Sequence, residues 1–275
     1  MKGKKKAIYL TVWLSLSAVL LIGGLLAPTV EKEETIQEAM KDAVLHETNR
    51  VSLFGWSVNP AVMSTIILTI VLLLFAAAIR LFVIPKFTEK PGKFQLLLES
   101  WVSLFTGMAK DHSPSRNMVL GGYIFFAGSW VFVSTLFEML GIQWITTKGT
   151  PIALPAPLAD INGACAMGIS TFLFIVIGGA CSNGIKGLGS ALKEFSLPIS
   201  MSFRLFGALL SGLLVTEMVY YSKGLSVLIP VFVGIMFTLL HAIIQTYVLT
   251  TLTSTFYGEA AEKTEKNKDR SALEE

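Results

Sequence analysis

The sequence predicts an all-α polytopic membrane protein with about six membrane helices. Of its 275 residues, 53% are hydrophobic and only 15% are charged, a balance typical of chains that cross a bilayer several times. About 20 helical residues are needed to cross a hydrocarbon core of about 30 Å, and six apolar runs reach that length. These predicted spans are residues 7–27, 60–84, 117–140, 161–181, 192–221 and 225–257.

The first run is predicted to anchor the chain in the membrane. Lysines at positions 2, 4, 5 and 6 precede it, as in a secretory signal. Its length exceeds the roughly 7–15 apolar residues of a signal, however, and no Ala-x-Ala site follows. We therefore expect residues 1–30 to be a retained anchor, with a cleaved signal as the alternative. Residues 31–59 then form an extracytoplasmic segment, in which 31–50 is predicted to be a short surface helix.

The distribution of basic residues predicts the orientation. Sixteen of the 22 Lys and Arg residues fall in connections on one side, five fall on the other side, and Arg204 is the remaining one. Because cytoplasmic loops are enriched in Lys and Arg, both termini are predicted to be cytoplasmic, including the charged tail 259–275. The modest net charge of +3 is distributed according to this rule, so it gives no indication of nucleic-acid binding.

The connecting segments add one helix and one outer loop. The cytoplasmic stretch "KFQLLLESWVSLFTGMAKD" mixes apolar and polar residues at helical spacing, which predicts a helix lying at the membrane interface. The stretch "KGTPIALPAPLAD" predicts an extended, proline-rich outer loop. Cys165 and Cys181 fall in one predicted span without the spacing of metal ligands, so we expect buried thiols and neither a metal nor a cofactor.

The last two spans are too long to stand upright in the bilayer. At 1.5 Å per residue, 192–221 and 225–257 reach about 45 and about 50 Å, whereas the hydrocarbon core is about 30 Å thick. With the turn "SKG" between them, they are predicted to form a long, steeply tilted hairpin.

Arg204 lies inside the first arm of this hairpin. Arginine does not lose its proton in proteins, so at membrane depth it is costly unless it faces a polar cavity or an opposite charge. Glu194 and Glu217 are about 15 and about 20 Å away along the same predicted helix, and Glu138 belongs near the outer end of another span. The sequence therefore predicts that the partner of Arg204 sits on another protein.

Two stripes follow helical spacing on the arms. Small residues lie on the face of Arg204 and would let another helix approach closely; they are Ser200, Gly207, Ala208 and Ser211. On the second arm, Thr238, His241 and Gln245 form a polar stripe. Small-residue stripes are common in helix packing, so the stripe alone is weak evidence for a partner helix. The buried arginine within it makes that evidence much stronger.

These residues resemble subunit a of the membrane sector of F-type ATP synthases. The stretch "PISMSFRLFGALLSG" is similar to the family's pattern around its arginine, and "IIQTYVLTTLTSTFYGEA" is similar to its glutamine-containing signature. The stretch "PAPLADINGACAMG" resembles the family segment that opens the preceding helix. The resemblance runs from about residue 50 to residue 262.

The resemblance implies a function. In this family the arginine, here Arg204, faces a rotating ring of c subunits that carry membrane-embedded carboxylates, and two offset half-channels reach the ring from opposite sides. The chain would be a non-catalytic stator subunit that couples the flow of H⁺ or Na⁺ to ATP synthesis through an ion-translocating domain, residues 60–258. The implied partners are the c-ring, the b-subunit peripheral stalk and the remaining synthase subunits, and the implied location is the bacterial plasma membrane.

The resemblance also points to residues of the ion path. For the cytoplasmic half-channel they are Ser200 and Ser196, and for the outer half-channel they are Glu217, His241 and Asp160, followed by Asn162 and Glu138. Gln245 matches the family's glutamine, whose amide oxygen could hold the guanidinium of Arg204. Simpler roles compete: the serine hydroxyls could bond to carbonyls of their own helix, and His241 could be a packing residue.

Three positions depart from the family pattern. Ala208 stands where an Asn is common, Leu213 where some members have an acidic residue, and Thr238 where a His or Glu is common. Glu217 and His241 lie one turn from the last two on the same helical faces, so they could substitute for them.

Two other classes of protein remain as alternatives. A secondary transporter could bind an anionic substrate through Arg204, but it would be expected to show two related halves, which this sequence lacks. A structural scaffold would explain the small residues but not the arginine. The stretch "GACSNGIK" spaces glycines like a phosphate-binding loop, but Ile185 stands where a lysine is required, so ATP chemistry is expected on other subunits.

Overall fold

The fold of the 275-residue chain is taken from a computed structural model. The structure describes residues 2–26, 35, 37, 50–53, 55–147, 149, 151–221 and 229–262. Seven long helices make up most of this part. They are α1 (Lys2–Leu26), α2 (Pro60–Ala78), α3 (Lys93–His112), α4 (Asn117–Leu136), α5 (Ile161–Lys193), α6 (Ser196–Tyr221) and α7 (Ile229–Ala261).

Five of the described helices are long and apolar enough to cross a membrane, and they are α2, α4, α5, α6 and α7. The predicted all-α membrane fold is therefore confirmed. The first predicted span is also a helix, α1, in which the described apolar stretch is the shorter Tyr9–Val19. That α1 crosses the bilayer stays a prediction. The surface helix predicted for 31–50 falls almost wholly outside the described residues.

Helix α2 has local signals at both ends. The Asn59 side chain accepts a hydrogen bond of 2.9 Å from the Ala61 backbone N–H, and Pro60 occupies the first helical position, where its missing N–H costs nothing. After Ala78 the helix widens into a π-turn, Ile79–Val83, and then tightens into a 3₁₀ turn, Ile84–Lys86, which contains Pro85. The continuous helical segment, including the π- and 3₁₀-turns, thus ends at Lys86, within two residues of the predicted boundary at 84.

The predicted interfacial helix is α3, and it packs against α4 and α7. Phe105 and Ala109 are buried on its inner side, and the Trp101 indole N–H donates a hydrogen bond of 2.9 Å to the Ser129 hydroxyl on α4. A Cβ at Gly128 would lie 2.5 Å from the Phe105 ring, so the absence of a side chain at Gly128 lets α3 and α4 touch. That α3 lies at a membrane surface stays a prediction.

Helix α5 is broken at Gly184, and the sequence does not predict this. Gly184 has φ 57° and ψ −135°, a backbone conformation open to glycine and strained for residues with a side chain. The two arms on either side of the break lie in close contact. Gly187 is so near the Gly179 carbonyl that a Cβ added at Gly187 would strike it. The span predicted to end at 181 therefore continues to Lys193 as a second, folded-back arm.

The predicted start of the hairpin at 192 is wrong by four residues. Glu194 and Phe195 form a turn after α5, and α6 begins at Ser196. Pro198 lies in the first turn of α6, where a proline is tolerated because its N–H would have no helical partner. Counted from Ser196, the 26 residues of α6 reach about 39 Å, and the 33 residues of α7 reach about 50 Å.

Helix α7 is central in the bundle. It packs against α3, α4, α5 and α6, and it carries a row of buried hydroxyl residues: Thr246, Thr250, Thr253 and Ser254. The "SKG" turn between α6 and α7 lies outside the described residues. Tilt relative to a bilayer also stays a prediction.

Two short β-hairpins lie on the side predicted to face outward. Strands β1 (Val51–Leu53) and β2 (Trp56–Val58) pair antiparallel, as do β3 (Gln143–Ile145) and β4 (Pro151–Ala153). The Thr147 N–H donates a hydrogen bond of 2.9 Å to the Arg50 carbonyl and joins the two hairpins. The proline-rich loop is extended, as predicted, and its residues 151–153 also pair with residues 143–145, which the sequence does not predict.

Candidate functional site

Helix α6 presents Arg204 on its open side. The opposite side is buried in the bundle through Leu197, Met201, Leu205 and Leu209, which are 2–5% exposed. Arg204, Ser200, Gly207 and Ser211 are all exposed, and Ala208 is half-buried. The predicted stripe of small residues around Arg204 is thus a surface of the folded chain.

The open side of α6 divides into two strips. Ser196, Ser200, Arg204, Gly207 and Ser211 form the polar strip, and Ile199 and Phe203 form an apolar strip beside it, 55% and 61% exposed. A neighbouring helix on this side would therefore meet small groups and one cation next to large apolar side chains.

Arg204 has no hydrogen bond or ion pair with any residue in the described part of the chain. Glu194 lies in the turn before α6, and the helix rises about 12 Å from Ser196 to Arg204. The backbones of Glu138 and Glu217 lie in the 3₁₀ turn Phe137–Leu140 and in α6, and their side chains are outside the described residues. A partner for Arg204 on another protein stays a prediction.

The two serines predicted for the cytoplasmic half-channel differ from other serines of α6. The Ser202 hydroxyl donates to the Pro198 carbonyl at 2.6 Å, and the Ser211 hydroxyl donates to the Ala208 carbonyl at 2.9 Å. Within the described structure, neither Ser196 nor Ser200 makes such a bond to its own helix, and both are exposed. Their hydroxyls are free to bind water or an ion.

Gln245 is buried between helices. It is 6% exposed and lies on α7, which packs against α6. In the part of the chain that the structure describes, its amide has no hydrogen-bond partner. Among the described residues only the Thr251 Oγ1 is a fully buried polar side-chain atom without a partner, so the Gln245 amide atoms remain reachable and have capacity for another group.

His241 is partly committed to its own helix. Its Nδ1 lies 2.7 Å from the Phe237 carbonyl, and because a carbonyl only accepts, Nδ1 carries the proton in this contact. Its ring stacks on that of Phe237 with centroids 5.8 Å apart. Thr238, on the same stripe, is half-buried. The packing role is therefore present, and it leaves Nε2 of the half-buried ring as the nitrogen available for other partners.

Asp160 and Asn162 form the N-terminal cap of α5. The Asp160 Oδ1 accepts hydrogen bonds of 3.1 Å from both the backbone N–H and the side-chain amide of Asn162. This geometry gives Asp160 a structural role at the N-terminal end of α5. The described contacts bring Asp160 and Asn162 together but do not join them to His241.

A cluster of polar residues that the sequence does not predict lies at the C-terminal end of α7. One carboxylate oxygen of Glu262 accepts hydrogen bonds from the Ser113 hydroxyl, the Ser115 hydroxyl and the Ser115 N–H, at 2.7–2.9 Å. The Asn183 amide donates to the carbonyls of Ala260 and Glu262 at 2.9 and 3.1 Å. We call these five residues the α7 end cluster. In the sequence these polar residues only lie near the ends of three different predicted spans. Their positions along the chain do not indicate that the three ends are in contact.

A comparison with protein-family models decides the family. The model described as "ATP synthase A chain" matches residues 61–258, which include Arg204, Gln245 and both arms of the hairpin. The chain belongs to the ATP synthase A chain family. This membership confirms the resemblance seen in the sequence around Arg204 and Gln245.

Curated relatives carry the same description at low identity. "ATP synthase subunit a" of Histophilus somni (strain 129Pt) is 28% identical over 189 residues, with 58% of this chain and 70% of that protein covered. The protein of the same name from Shewanella baltica (strain OS155 / ATCC BAA-1091) is 25% identical over 166 residues, covering 50% of this chain and 62% of that protein. The chain is thus a divergent family member and a multi-pass membrane protein of the ATP synthase complex.

Proposed function

We propose that the chain is the stator subunit of an F-type ATP synthase and carries H⁺ or Na⁺ to and from the carboxylates of a rotating c-ring. The observation that carries the proposal is Arg204: a permanent cation on the open side of α6, among small residues, without a partner in the described part of the chain. A charge in such a place at membrane depth needs a counter-charge, and a ring carboxylate passing the polar strip supplies one.

The proposed mechanism rests on electrostatics at Arg204. Two unit charges about 4 Å apart attract by about 4 kcal/mol at an effective dielectric constant of about 20. This attraction favours the ionised form of a ring carboxylate and drives its bound ion off. The same cation repels any ion that would cross directly between the half-channels, so that ions must travel with the ring.

The half-channels are proposed on the two sides of Arg204. Ser200 and Ser196 lie about 6 and about 12 Å from it along α6, with free hydroxyls, and serve the inner side. On the outer side we place His241, Glu217, Asp160, Asn162 and Glu138. In this proposal Gln245, buried on α7, holds the guanidinium toward the ring.

The wider assignment follows from the family. The proposed partners are the c-ring, the b-subunit stalk and the other synthase subunits, and the proposed location is the bacterial plasma membrane with both termini cytoplasmic. The chain itself makes and breaks no bond of ATP in this proposal.

The test is ATP synthesis driven by an imposed ion gradient in vesicles containing the whole complex. We compare wild type with Arg204→Ala and Arg204→Lys, and use Phe203→Leu as a control on the neighbouring apolar strip. Both Arg204 variants are expected to assemble and to lose synthesis, because lysine lacks the two-pronged, permanently charged guanidinium, while the control retains it. Repeating the wild-type assay with and without Na⁺ identifies the ion. Normal synthesis by Arg204→Ala would refute the proposal.

A further inference from the structure

A cavity of about 130 Å³ opens on the surface where α3, α4 and α7 meet. Its walls are almost entirely carbon, and aromatic rings form one side of it. Trp101 packs against Phe105 and Phe132 with ring centroids 5.3 and 5.2 Å apart. These contacts hold Trp101 in place, so the cavity is a feature of the packed bundle and does not depend on a loop.

Three polar groups around the cavity are bonded to the protein in the described structure, and the fourth, the Tyr247 hydroxyl, belongs to an exposed side chain on the rim. The Trp101 indole N–H donates to the Ser129 hydroxyl at 2.9 Å. The Thr250 hydroxyl donates to the Thr246 carbonyl at 2.8 Å, and the Thr246 hydroxyl reaches the Gly128 carbonyl at 3.5 Å. A buried water needs about two to four polar partners, and these walls do not offer them. The chemistry of the cavity therefore selects a hydrocarbon.

The rim of the cavity opens onto an apolar surface. Leu104, Ile243 and Tyr247 on the rim are 49%, 54% and 58% exposed. Two of the three helices around the cavity, α4 and α7, have the length and composition of membrane spans. With α4 and α7 crossing a bilayer, as their length and composition indicate, the opening lies beside hydrocarbon, which supplies apolar chains at high concentration.

We propose that this cavity binds an acyl chain of a membrane phospholipid. A whole helix with its side chains is about 10–12 Å across and is too wide to enter. A segment of a flexible hydrocarbon chain is narrow enough to enter and suits walls that expose almost no polar atoms. In this proposal the acyl chain lies against Trp101 and Met108 on α3 and against the turn of α7 that carries Ile243 and Thr246. It thereby seals the junction of the three helices.

The test uses a phosphatidylcholine that carries a photoreactive diazirine in one acyl chain. The assembled complex is reconstituted in phosphatidylcholine vesicles with a small fraction of this probe, illuminated, and digested for mass spectrometry. We expect labelling of residues 101–108 and 243–250 to exceed several-fold the labelling of residues 70–75 on α2. That stretch is exposed and apolar, and it reports ordinary contact with lipid.

Two matched variants separate the cavity from the surface around it. Leu104→Trp enlarges a rim residue and is expected to remove the excess labelling. Leu97→Trp makes the same change two turns earlier on α3, at a side chain that is 63% exposed and does not line the cavity, and it is expected to leave the labelling unchanged. Labelling equal to that of residues 70–75, labelling insensitive to Leu104→Trp, or no labelling because another subunit covers the cavity would each overturn the proposal. None of these readouts uses ATP synthesis, so the result is independent of the proposed function.

Discussion

The hydroxyl of Ser115 donates a hydrogen bond of 2.7 Å to the carboxylate of Glu262, 147 residues later in the chain. This contact ties the end of α7 to the turn between α3 and α4. Gly258 sits one turn earlier, so close to the His112 carbonyl that a Cβ there would collide with it. The far end of the helix that carries Gln245 is thus held in the α7 end cluster.

Removing the Glu262 carboxylate should loosen this end of α7. Hydrogen bonds to charged groups contribute about 1.5–3 kcal/mol each when well buried. Because Ser115 is exposed, we expect Glu262→Ala to cost about 1–2 kcal/mol in total. The measurement is hydrogen exchange of the backbone amides at 255–262 in the purified complex, which should become faster. Glu259→Ala, an exposed carboxylate on the same helix end, is the control and should leave exchange unchanged; equal effects of both variants would contradict the role of Glu262.

Gly184 should not tolerate a side chain, for a reason confined to the backbone. No atom lies within 4 Å of a Cβ built at Gly184, but its φ of 57° with ψ −135° is strained for alanine by about 1–3 kcal/mol. We expect Gly184→Ala to lower the thermal midpoint of the complex or its assembled yield. Gly189→Ala, in the second arm of α5 with equally open surroundings and no positive φ, should be neutral or slightly stabilising. The reverse order of the two variants would show that the break at Gly184 does not strain the chain.

These two features show where sequence patterns stop being informative. Apolar runs predicted the membrane helices because burial in hydrocarbon depends on composition and length. The bounds of α2, α4, α6 and α7 agree with the predicted spans to within a few residues, whereas α5 continues twelve residues beyond the predicted end at 181. The break at Gly184 depends on one backbone angle, which hydrophobicity does not encode. The Ser115–Glu262 contact joins segments 147 residues apart, and spacing along the chain carries no information on such pairs.

The candidate site was predictable to a similar extent. Helical spacing placed Ser200, Arg204 and Gly207 on one face, and the structure leaves that face open. The same argument placed Thr238, His241 and Gln245 together, yet it gave no means of telling that Gln245 is buried while His241 bonds to its own helix. Those differences come from which helices pack on each side of α7.

Gln245 should affect coupling through Arg204. If its amide holds the guanidinium, Gln245→Leu removes a hydrogen bond to a charged group, which is worth about 1.5–3 kcal/mol, or roughly a ten- to hundred-fold change in an equilibrium. We expect a corresponding fall in ion-driven ATP synthesis. Gln245→Glu should inhibit more strongly, because its carboxylate would compete with the ring for Arg204. Ile244→Val, an exposed neighbour, is the control, and full activity of Gln245→Leu would remove Gln245 from the proposed path.

His241 offers a test that separates packing from ion conduction. Its Nδ1–H bonds to the Phe237 carbonyl at 2.7 Å, so an ion path through His241 must use Nε2. An asparagine amide lies near the position of Nδ1, whereas a glutamine amide reaches that of Nε2. We therefore expect His241→Gln to retain much of the passive ion permeability of vesicles that contain only the membrane sector, and His241→Asn to lose it while keeping the stability of the complex. His241→Phe should abolish both the Nδ1 hydrogen bond to the Phe237 carbonyl and ion conduction through Nε2. If Asn and Gln conduct equally well, the histidine serves packing alone, and the outer half-channel must be built from Glu217, Asp160 and their neighbours.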